Sequence, residues 1–205
     1  MSEIQEKTQV DKHYLRQAWL ILFLAVFYGA ILVGVQIGLS GRIAENKKQE
    51  TYSQIPMLVP GADASQTVEF QVRGNGGRES RVYQARNASG EAIGWVFPGS
   101  GAGFADTIEI LIGLDAEATQ LTGLYVLNQK ETPGLGNYIT EIAFRDQFNG
   151  LASGEKFVAV AGKPQGINEI KAVTGATISS QSVCDIVNGT IAQYRQAALE
   201  KAGNP

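Results

Sequence analysis

Two threonines, Thr174 and Thr177, flank a glycine and an alanine directly before a segment with helical periodicity. The first turn of a helix offers backbone N–H groups without partners and the positive end of the helix dipole, so an anion bound there is stabilised. A threonine hydroxyl at this point lies in the same field. The alternative is an ordinary helix cap, in which the hydroxyl satisfies one of those N–H groups. The sequence therefore predicts either an anion-binding helix start or a capped one at about residue 178.

A second segment, residues 131–136, has the sequence Glu-Thr-Pro-Gly-Leu-Gly. Pro133 and Gly134 suit the two central positions of a type II turn, because the second of these positions requires a positive φ. The segment is then either a rigid connector between a strand and a helix or a loop whose backbone N–H groups face a ligand. The glycine-rich stretch 99–103 matches neither a phosphate-binding loop nor a dinucleotide fingerprint, and we interpret it as a flexible loop.

Several kinds of site are disfavoured by the residues that the chain lacks. Cys184 is the one cysteine and His13 the one histidine, which argues against disulfides, iron–sulfur clusters, histidine-bound zinc or haem, and a Ser-His-Asp triad. Cys184 lies on the apolar side of the last predicted helix and is expected in the core. The net charge of −3, without long charged runs, gives no reason to expect nucleic acid as a partner. We predict neither a metal site nor a catalytic residue.

The elements that position these residues can be predicted from periodicity, since strands alternate polar and apolar residues and helices repeat every 3.6. We expect strands over 67–72, 80–86, 92–97, 107–114, 121–128 and 157–161, and helices over 138–148 and 178–199. Five of these six strands come before the first of the two helices. This separation of strands and helices along the chain indicates an α+β domain, with helices packed on an antiparallel sheet.

The N-terminal part carries a long apolar run, because residues 17–41 contain no charge. About 20 apolar residues span a hydrocarbon core of roughly 30 Å, and cleaved signal peptides have shorter runs of about 7–15. We therefore predict a tail over 1–17, one transmembrane helix over 18–39, a stalk over 40–66 and a folded domain over 67–205. Basic residues are balanced on the two sides of the helix, so charge gives no orientation.

The segments 174–177 and 131–136, behind one N-terminal apolar helix, resemble the FMN-binding domains of the Rnf and Nqr respiratory complexes. The resemblance implies that a flavin transferase, using Mg²⁺ and FAD, joins the phosphate of FMN to the Thr177 hydroxyl as a phosphodiester. It implies that Phe104, otherwise a core residue, stacks beside the flavin. The full set of cofactor-binding residues that it implies is Phe104, Glu131, Thr132, Gly134, Leu135, Gly136, Thr174, Gly175, Ala176 and Thr177.

The resemblance is nearest to the G subunits of Rnf complexes and implies an electron carrier in the inner membrane. Residues 1–17 would then be cytoplasmic and the folded domain extracytoplasmic, with the other subunits of the complex as partners. The complex as a whole would transfer electrons between ferredoxin and NAD while exporting Na⁺ or H⁺. Two alternatives stay open: a C subunit of an Nqr complex, whose chains tend to be longer, and an anchored interaction or sensor domain without covalent flavin.

Overall fold

The computed structural model describes residues 2–75 and 77–203 and divides between Lys48 and Gln49 into two compact units. Helix α1 (Ser2–Leu58) accounts for the first unit and continues into the second. Among the described residues it is the one helix long and apolar enough to cross a membrane, judged by length and composition. Its large apolar side chains between Trp19 and Leu39 are exposed, as expected of a helix that is apolar all round.

Helix α1 continues past Pro56 and ends at Leu58. Pro56 lies in the last turn, where a missing N–H group removes only one helical hydrogen bond. The Val59 N–H group donates to the Ile55 carbonyl at 2.8 Å, directly after the helix. Ile55 and Leu58 are buried, so packing of the last turn offsets the cost of the proline.

The second unit contains a five-stranded antiparallel sheet in the order β1-β2-β3-β4-β5. Its strands are β1 (Asp63–Arg73), β2 (Glu79–Arg86), β3 (Ala92–Ala102), β4 (Thr107–Asp115) and β5 (Leu121–Asn128). The predicted antiparallel sheet and α+β class are confirmed. Each strand pairs with its neighbour in the chain, so short turns suffice to connect them.

The segment after the sheet is less regular than predicted. A 3₁₀ helix (Gly136–Thr140), helix α2 (Ile142–Arg145) and a second 3₁₀ helix (Asp146–Phe148) replace the single helix expected over 138–148. Glu141 has an extended backbone, φ −70° and ψ 145°, which interrupts the helix. Of the apolar residues at helical spacing, Phe144 and Phe148 are buried, whereas Ile142 is exposed.

The chain then adds a two-stranded parallel sheet and a long helix. Strand β6 (Val158–Val160) pairs with β7 (Glu169–Lys171), and helix α3 covers Thr177–Gly203. The sequence analysis missed β7, because three residues are too short to establish an alternating pattern. The long helix predicted over 178–199 is confirmed.

The five-stranded sheet is covered on both faces. Helix α3 packs on one face, where Phe97, Ile110 and Val187 belong to the larger core. Cys184 is fully buried in that core, as expected, and burial raises the pKa of its thiol to about 12. The opposite core combines the end of α1 with the inner strands: Ile55, Leu58, Val59, Tyr83, Ala85, Val96 and Leu111.

The segment expected to be a stalk therefore has two parts. From Gln49 onward its residues belong to the compact unit, and β1 begins at Asp63 rather than at residue 67. Thr122 fixes the end of α1 to the sheet, since its hydroxyl donates to the Leu58 carbonyl oxygen at 2.6 Å. Gly113 admits this carbonyl, because a Cβ there would lie 2.5 Å from the same oxygen.

Replacing Gly113 with alanine should lower the free energy of unfolding by about 1–3 kcal/mol, because the new methyl group meets a backbone carbonyl that cannot rotate away. Gly189→Ala is the matched control, since Gly189 is exposed within α3 and an added Cβ meets nothing within 4 Å. That change should stabilise the protein by about 0.5–1 kcal/mol through helix propensity. Denaturant unfolding of the full chain in detergent measures both changes, and equal signs would contradict the packing described for Gly113.

Candidate functional site

Helix α3 begins at Thr177, and no side chain of the described residues caps it. Ser180 N–H donates to the Ala176 carbonyl at 3.0 Å and starts the helical ladder. The N–H groups of residues 177–179 have no hydrogen-bond partner within the described part of the chain, and neither Thr174 nor Thr177 supplies one. The ordinary cap considered as the alternative is therefore absent from the described residues. The helix presents three free donors and its positive dipole end to an incoming anion.

The two serines that follow Thr177 differ from it in burial and bonding. Ser180 is buried, and its hydroxyl donates to the Ala176 carbonyl at 2.9 Å while accepting the Val173 N–H at 3.0 Å. Ser179 is buried, and its hydroxyl donates to the Glu131 carboxylate at 2.5 Å. Thr177 is exposed. Among these three hydroxyls, only that of Thr177 is both accessible and uncommitted within the described residues.

Residues 131–136 form the turn that the sequence predicted. The Leu135 N–H group donates to the Thr132 carbonyl at 3.1 Å, and Gly134 has φ +76°, as a type II turn requires at its third position. Gly175, with φ +80°, lies against this turn, because a Cβ there would be 2.9 Å from the Leu135 Cδ2 atom. The two motifs, some forty residues apart in sequence, are therefore in contact.

The carboxylate of Glu131 is buried where three segments meet, and the residue is only 4% exposed. One oxygen accepts the Ala105 N–H at 3.1 Å and the other accepts the Ser179 hydroxyl. A Cβ at Gly103 would lie 2.3 Å from the first oxygen, and one at Gly136 would lie 2.9 Å from the second. The absence of side chains at both glycines therefore makes room for this carboxylate.

The glycine-rich stretch is not the flexible loop that the sequence analysis expected. Residues 99–102 form the end of β3, paired with β4. Gly99 and Gly101 face α3: a Cβ at Gly99 would lie 2.4 Å from Thr190 Oγ1, and one at Gly101 would lie 2.7 Å from Ile186 Cγ1. These glycines therefore allow α3 to lie close against the strand, and this spacing sets the position of the helix start.

Phe104 is exposed rather than buried in the core. It follows β3 in the turn to β4, and 64% of its surface is accessible. The core role considered for it is therefore excluded. Leu135 (44% exposed) and Ile178 (59% exposed) provide two further accessible apolar side chains at the same place.

A cavity of about 320 Å³ brings these residues together. This volume is near the lower end of the roughly 300–1,000 Å³ that is usual for small-molecule sites, so a larger ligand would lie partly outside it. Its lining consists of Phe104, Glu131, Thr132, Leu135, Gly136, Gly175, Ala176, Thr177, Ile178 and Ser179.

Eight of the ten residues assigned by resemblance line this cavity, whereas Thr174 and Gly134 do not. Ile178 and Ser179 were missed; the available signal for Ile178 is an isoleucine outside the buried stripe of α3. Two larger cavities, of about 650 and 610 Å³, lie along the second half of α3 and contain none of the ten residues. Convergence of the two motifs, rather than size, therefore identifies the site.

The geometry suits a phosphate attached to a flat apolar ring system. The free N–H groups at the start of α3 can receive an anion, and a threonine hydroxyl is exposed beside them. Phe104, Leu135 and Ile178 offer apolar surface on which a ring can pack. FMN, the group implied by the resemblance, has both parts, so the residues present fit it.

Comparison with known proteins agrees with this fit. The FMN-binding domain family matches residues 103–192, a range that includes both motifs. The G subunit of the Na⁺-translocating ferredoxin:NAD⁺ oxidoreductase complex of Acetobacterium woodii is 32% identical over 206 residues, covering 94% of this chain and 98% of that protein. The chain belongs to the family of G subunits of Rnf-type oxidoreductase complexes. The recognition made from the two motifs is thereby confirmed.

A second family member and one solved structure are also similar to this chain. The G subunit of the ion-translocating oxidoreductase complex of Methanosarcina acetivorans is 29% identical over 148 residues, covering 72% of this chain and 74% of that one. The crystal structure of NqrC from Shewanella oneidensis is similar with a TM-score of 0.49 and 24% identity, over 55% of each chain. From its family membership, the chain is one component of a multi-subunit oxidoreductase complex and contains an FMN-binding domain.

Proposed function

We propose that the chain is a membrane-anchored electron carrier in which FMN is attached to Thr177 Oγ1 through a phosphodiester. The observation that carries this proposal is the state of the hydroxyl groups near the start of α3. Ser179 and Ser180 are buried and hydrogen-bonded, and Thr174 lies outside the cavity. Among the described hydroxyl groups near the start of α3, that of Thr177 is the one that is exposed, lies in the cavity wall and sits at the positive end of the helix.

The start of α3 is suited to hold the resulting phosphodiester. This linkage keeps one negative charge, which the free N–H groups of residues 177–179 and the helix dipole stabilise by about 0.3–1 kcal/mol when exposed and about 2 kcal/mol when partly buried. The phosphate would thus occupy the capping position, which no side chain of the described residues fills. Phe104, Leu135 and Ile178 would pack on the ring and restrict its position. FMN itself supplies the electron-carrying chemistry when bound.

Attachment requires an enzyme that reaches the Thr177 hydroxyl, and the exposure of this residue permits such access. In the proposed reaction a flavin transferase breaks the pyrophosphate bond of FAD. The FMN phosphoryl group forms an ester with Thr177 Oγ1, the hydroxyl proton is released, and AMP leaves. Gly175, two residues before Thr177, has no side chain that could obstruct the approach.

The wider role follows from family membership and from α1. We propose that α1 anchors the domain in the inner membrane as a single span, with the domain extracytoplasmic and residues 1–17 cytoplasmic. The Acetobacterium woodii relative belongs to a Na⁺-translocating ferredoxin:NAD⁺ oxidoreductase, which supports a role in ferredoxin–NAD electron transfer coupled to export of Na⁺ or H⁺. The absence of a dinucleotide fingerprint and of a cysteine cluster in the sequence suits a subunit that carries electrons between other centres.

Peptide mass spectrometry tests the attachment directly. The full chain is produced together with a flavin transferase and digested with trypsin, which releases residues 172–195 as one peptide. We expect this peptide to carry the mass of FMN less one water, with fragmentation that places the addition on Thr177. A Thr174→Val protein should be modified to the same extent. An unmodified wild-type peptide would overturn the proposal and leave an anchored domain without covalent flavin.

A further inference from the structure

We propose that Glu131 is the positioning residue of this site: its buried carboxylate ties together the three segments whose side chains surround the flavin. The inference rests on the proposed attachment at Thr177 for its functional meaning. Its structural content stands separately, because the bonds of Glu131 are formed within the chain. Glu131 acts through Ala105 and Ser179, rather than as a contact to the flavin ring or ribityl chain.

Each bond of the carboxylate holds a different wall of the cavity. The Ala105 N–H group, 3.1 Å from one oxygen, belongs to the turn that presents Phe104. The Ser179 hydroxyl, 2.5 Å from the other oxygen, belongs to the first turn of α3, which presents Thr177. Glu131 itself begins the turn that presents Leu135. A single side chain therefore fixes the distances between the attachment point and the two apolar walls.

The surroundings are shaped around this carboxylate. The close approach of Gly103 and Gly136 leaves no space for a Cβ on either side of it. A Cβ at Gly136 would also lie 2.8 Å from Ser179 Oγ. The turn at residues 131–136 and the start of α3 are thus in direct contact at the carboxylate, and small displacements of Glu131 would be transmitted to the helix.

The charge of the Glu131 carboxylate, and not only its shape, contributes to holding the three segments. No ion pair to Glu131 is found among the described residues, and the neighbouring Lys130 pairs instead with Asp106 at 3.1 Å. A buried carboxylate without a cation requires hydrogen bonds and a favourable field. Ala105 and Ser179 donate the hydrogen bonds, and the positive end of α3 supplies the field. Hydrogen bonds to a charged acceptor are stronger than neutral ones. Glutamine should therefore reproduce the geometry only in part.

The carboxylate also leaves the helix start available. Its bond goes to the side chain of Ser179, not to the N–H groups of residues 177–179. These three donors therefore stay free for the phosphate. The same bond occupies the Ser179 hydroxyl, which is the nearest rival to Thr177 along the first turn.

Amide hydrogen exchange on the full chain, before flavin is attached, tests whether Glu131 holds the three segments together. This measurement does not depend on the cofactor. In Glu131→Ala we expect exchange of the Ala105 amide to accelerate about tenfold or more, since a hydrogen bond to a charged group is lost. Glu131→Gln should show a smaller acceleration. Glu141→Ala, which removes an exposed glutamate directly before α2, should leave the Ala105 amide unchanged.

A double-variant comparison then separates positioning from general weakening. Glu131→Ala and Ser179→Ala should each slow flavin attachment to Thr177, and each should increase iodide quenching of the attached flavin. The combined variant should be no worse than the more severe single one, because both changes break the same link. Wild-type exchange at Ala105 in Glu131→Ala, or independent effects that multiply in the combined variant, would overturn the proposal. If Glu131→Ala does not fold, Glu131→Gln takes its place. It is then compared with Ser179→Ala and with the combined variant by the same criteria.

The two proposals fail in different ways. If the wild-type peptide 172–195 carries no flavin but Ala105 exchanges faster in the Glu131 variants, the attachment proposal fails. Glu131 then remains a structural link between the three segments, without a role in positioning flavin. If the peptide is modified but Ala105 exchange is unaffected, attachment stands and Glu131 has no positioning role.

Discussion

A Thr177→Val protein should carry no covalent flavin and should nevertheless unfold with nearly wild-type stability. The substitution removes the single oxygen to which the phosphate is proposed to bond. Thr177 is exposed and its hydroxyl makes no hydrogen bond within the described residues, so the free energy of unfolding of the flavin-free protein should change by no more than about 0.5 kcal/mol. In-gel flavin fluorescence and thermal unfolding of the same preparations measure the two quantities.

Two further variants test whether attachment depends specifically on the hydroxyl of Thr177. Thr177→Ser keeps a hydroxyl at the same position and should retain covalent flavin, whereas Thr174→Val removes a neighbouring hydroxyl that lies outside the cavity and should have no effect. A fluorescent Thr177→Val band would mean that another hydroxyl accepts the phosphate. A loss of fluorescence accompanied by unfolding would contradict the minor structural role assigned to this side chain.

Replacing Phe148 with alanine should lower the free energy of unfolding by about 3–5 kcal/mol, the range found when a buried aromatic ring is lost. Phe148 is fully buried, and its ring centroid lies 5.8 Å from that of Phe144 and 5.7 Å from that of Phe157. It therefore anchors the irregular segment after residue 136 to the region just before β6. Because the segment consists of three short helical pieces rather than one long helix, we expect its position to depend on this aromatic packing.

Ile142→Ala is the matched control for this change, since Ile142 is an apolar residue of the same segment that is 64% exposed. Its loss should alter the free energy of unfolding by no more than about 0.5 kcal/mol. Chemical denaturation of the full chain in detergent compares the two variants. Equal effects would indicate that the segment is not held by the aromatic cluster.

Local sequence was sufficient for those parts of the site whose geometry is set by neighbouring residues. The Pro133-Gly134 pair requires a particular turn, and the structure has it. The long helix after residue 177 follows from its apolar stripe, and the antiparallel sheet follows from alternating residues. Resemblance added the association of two motifs that spacing alone does not connect.

The parts that could not be predicted depend on contacts between distant segments. The bond between Glu131 and Ser179 joins residues 48 positions apart, and no local pattern encodes it. The glycines near residue 100 suggested flexibility because glycine is permissive, but here they accommodate α3 on a strand. The helix expected over 138–148 is replaced by three short helical segments, and Ile142, one of its apolar residues, is exposed rather than buried. Most helical stability comes from tertiary packing, which a local pattern does not show.

Coverage of the sheet by the end of α1 sets a limit on how the domain can be cut from its anchor. A fragment starting at residue 67, the boundary suggested by the sequence, would lack Ile55, Leu58 and Val59 and would leave Val96 and Leu111 facing water. Exposed apolar surface of this kind promotes association. A fragment for crystallisation or electrochemistry should therefore begin near Gln49, where the compact unit itself begins.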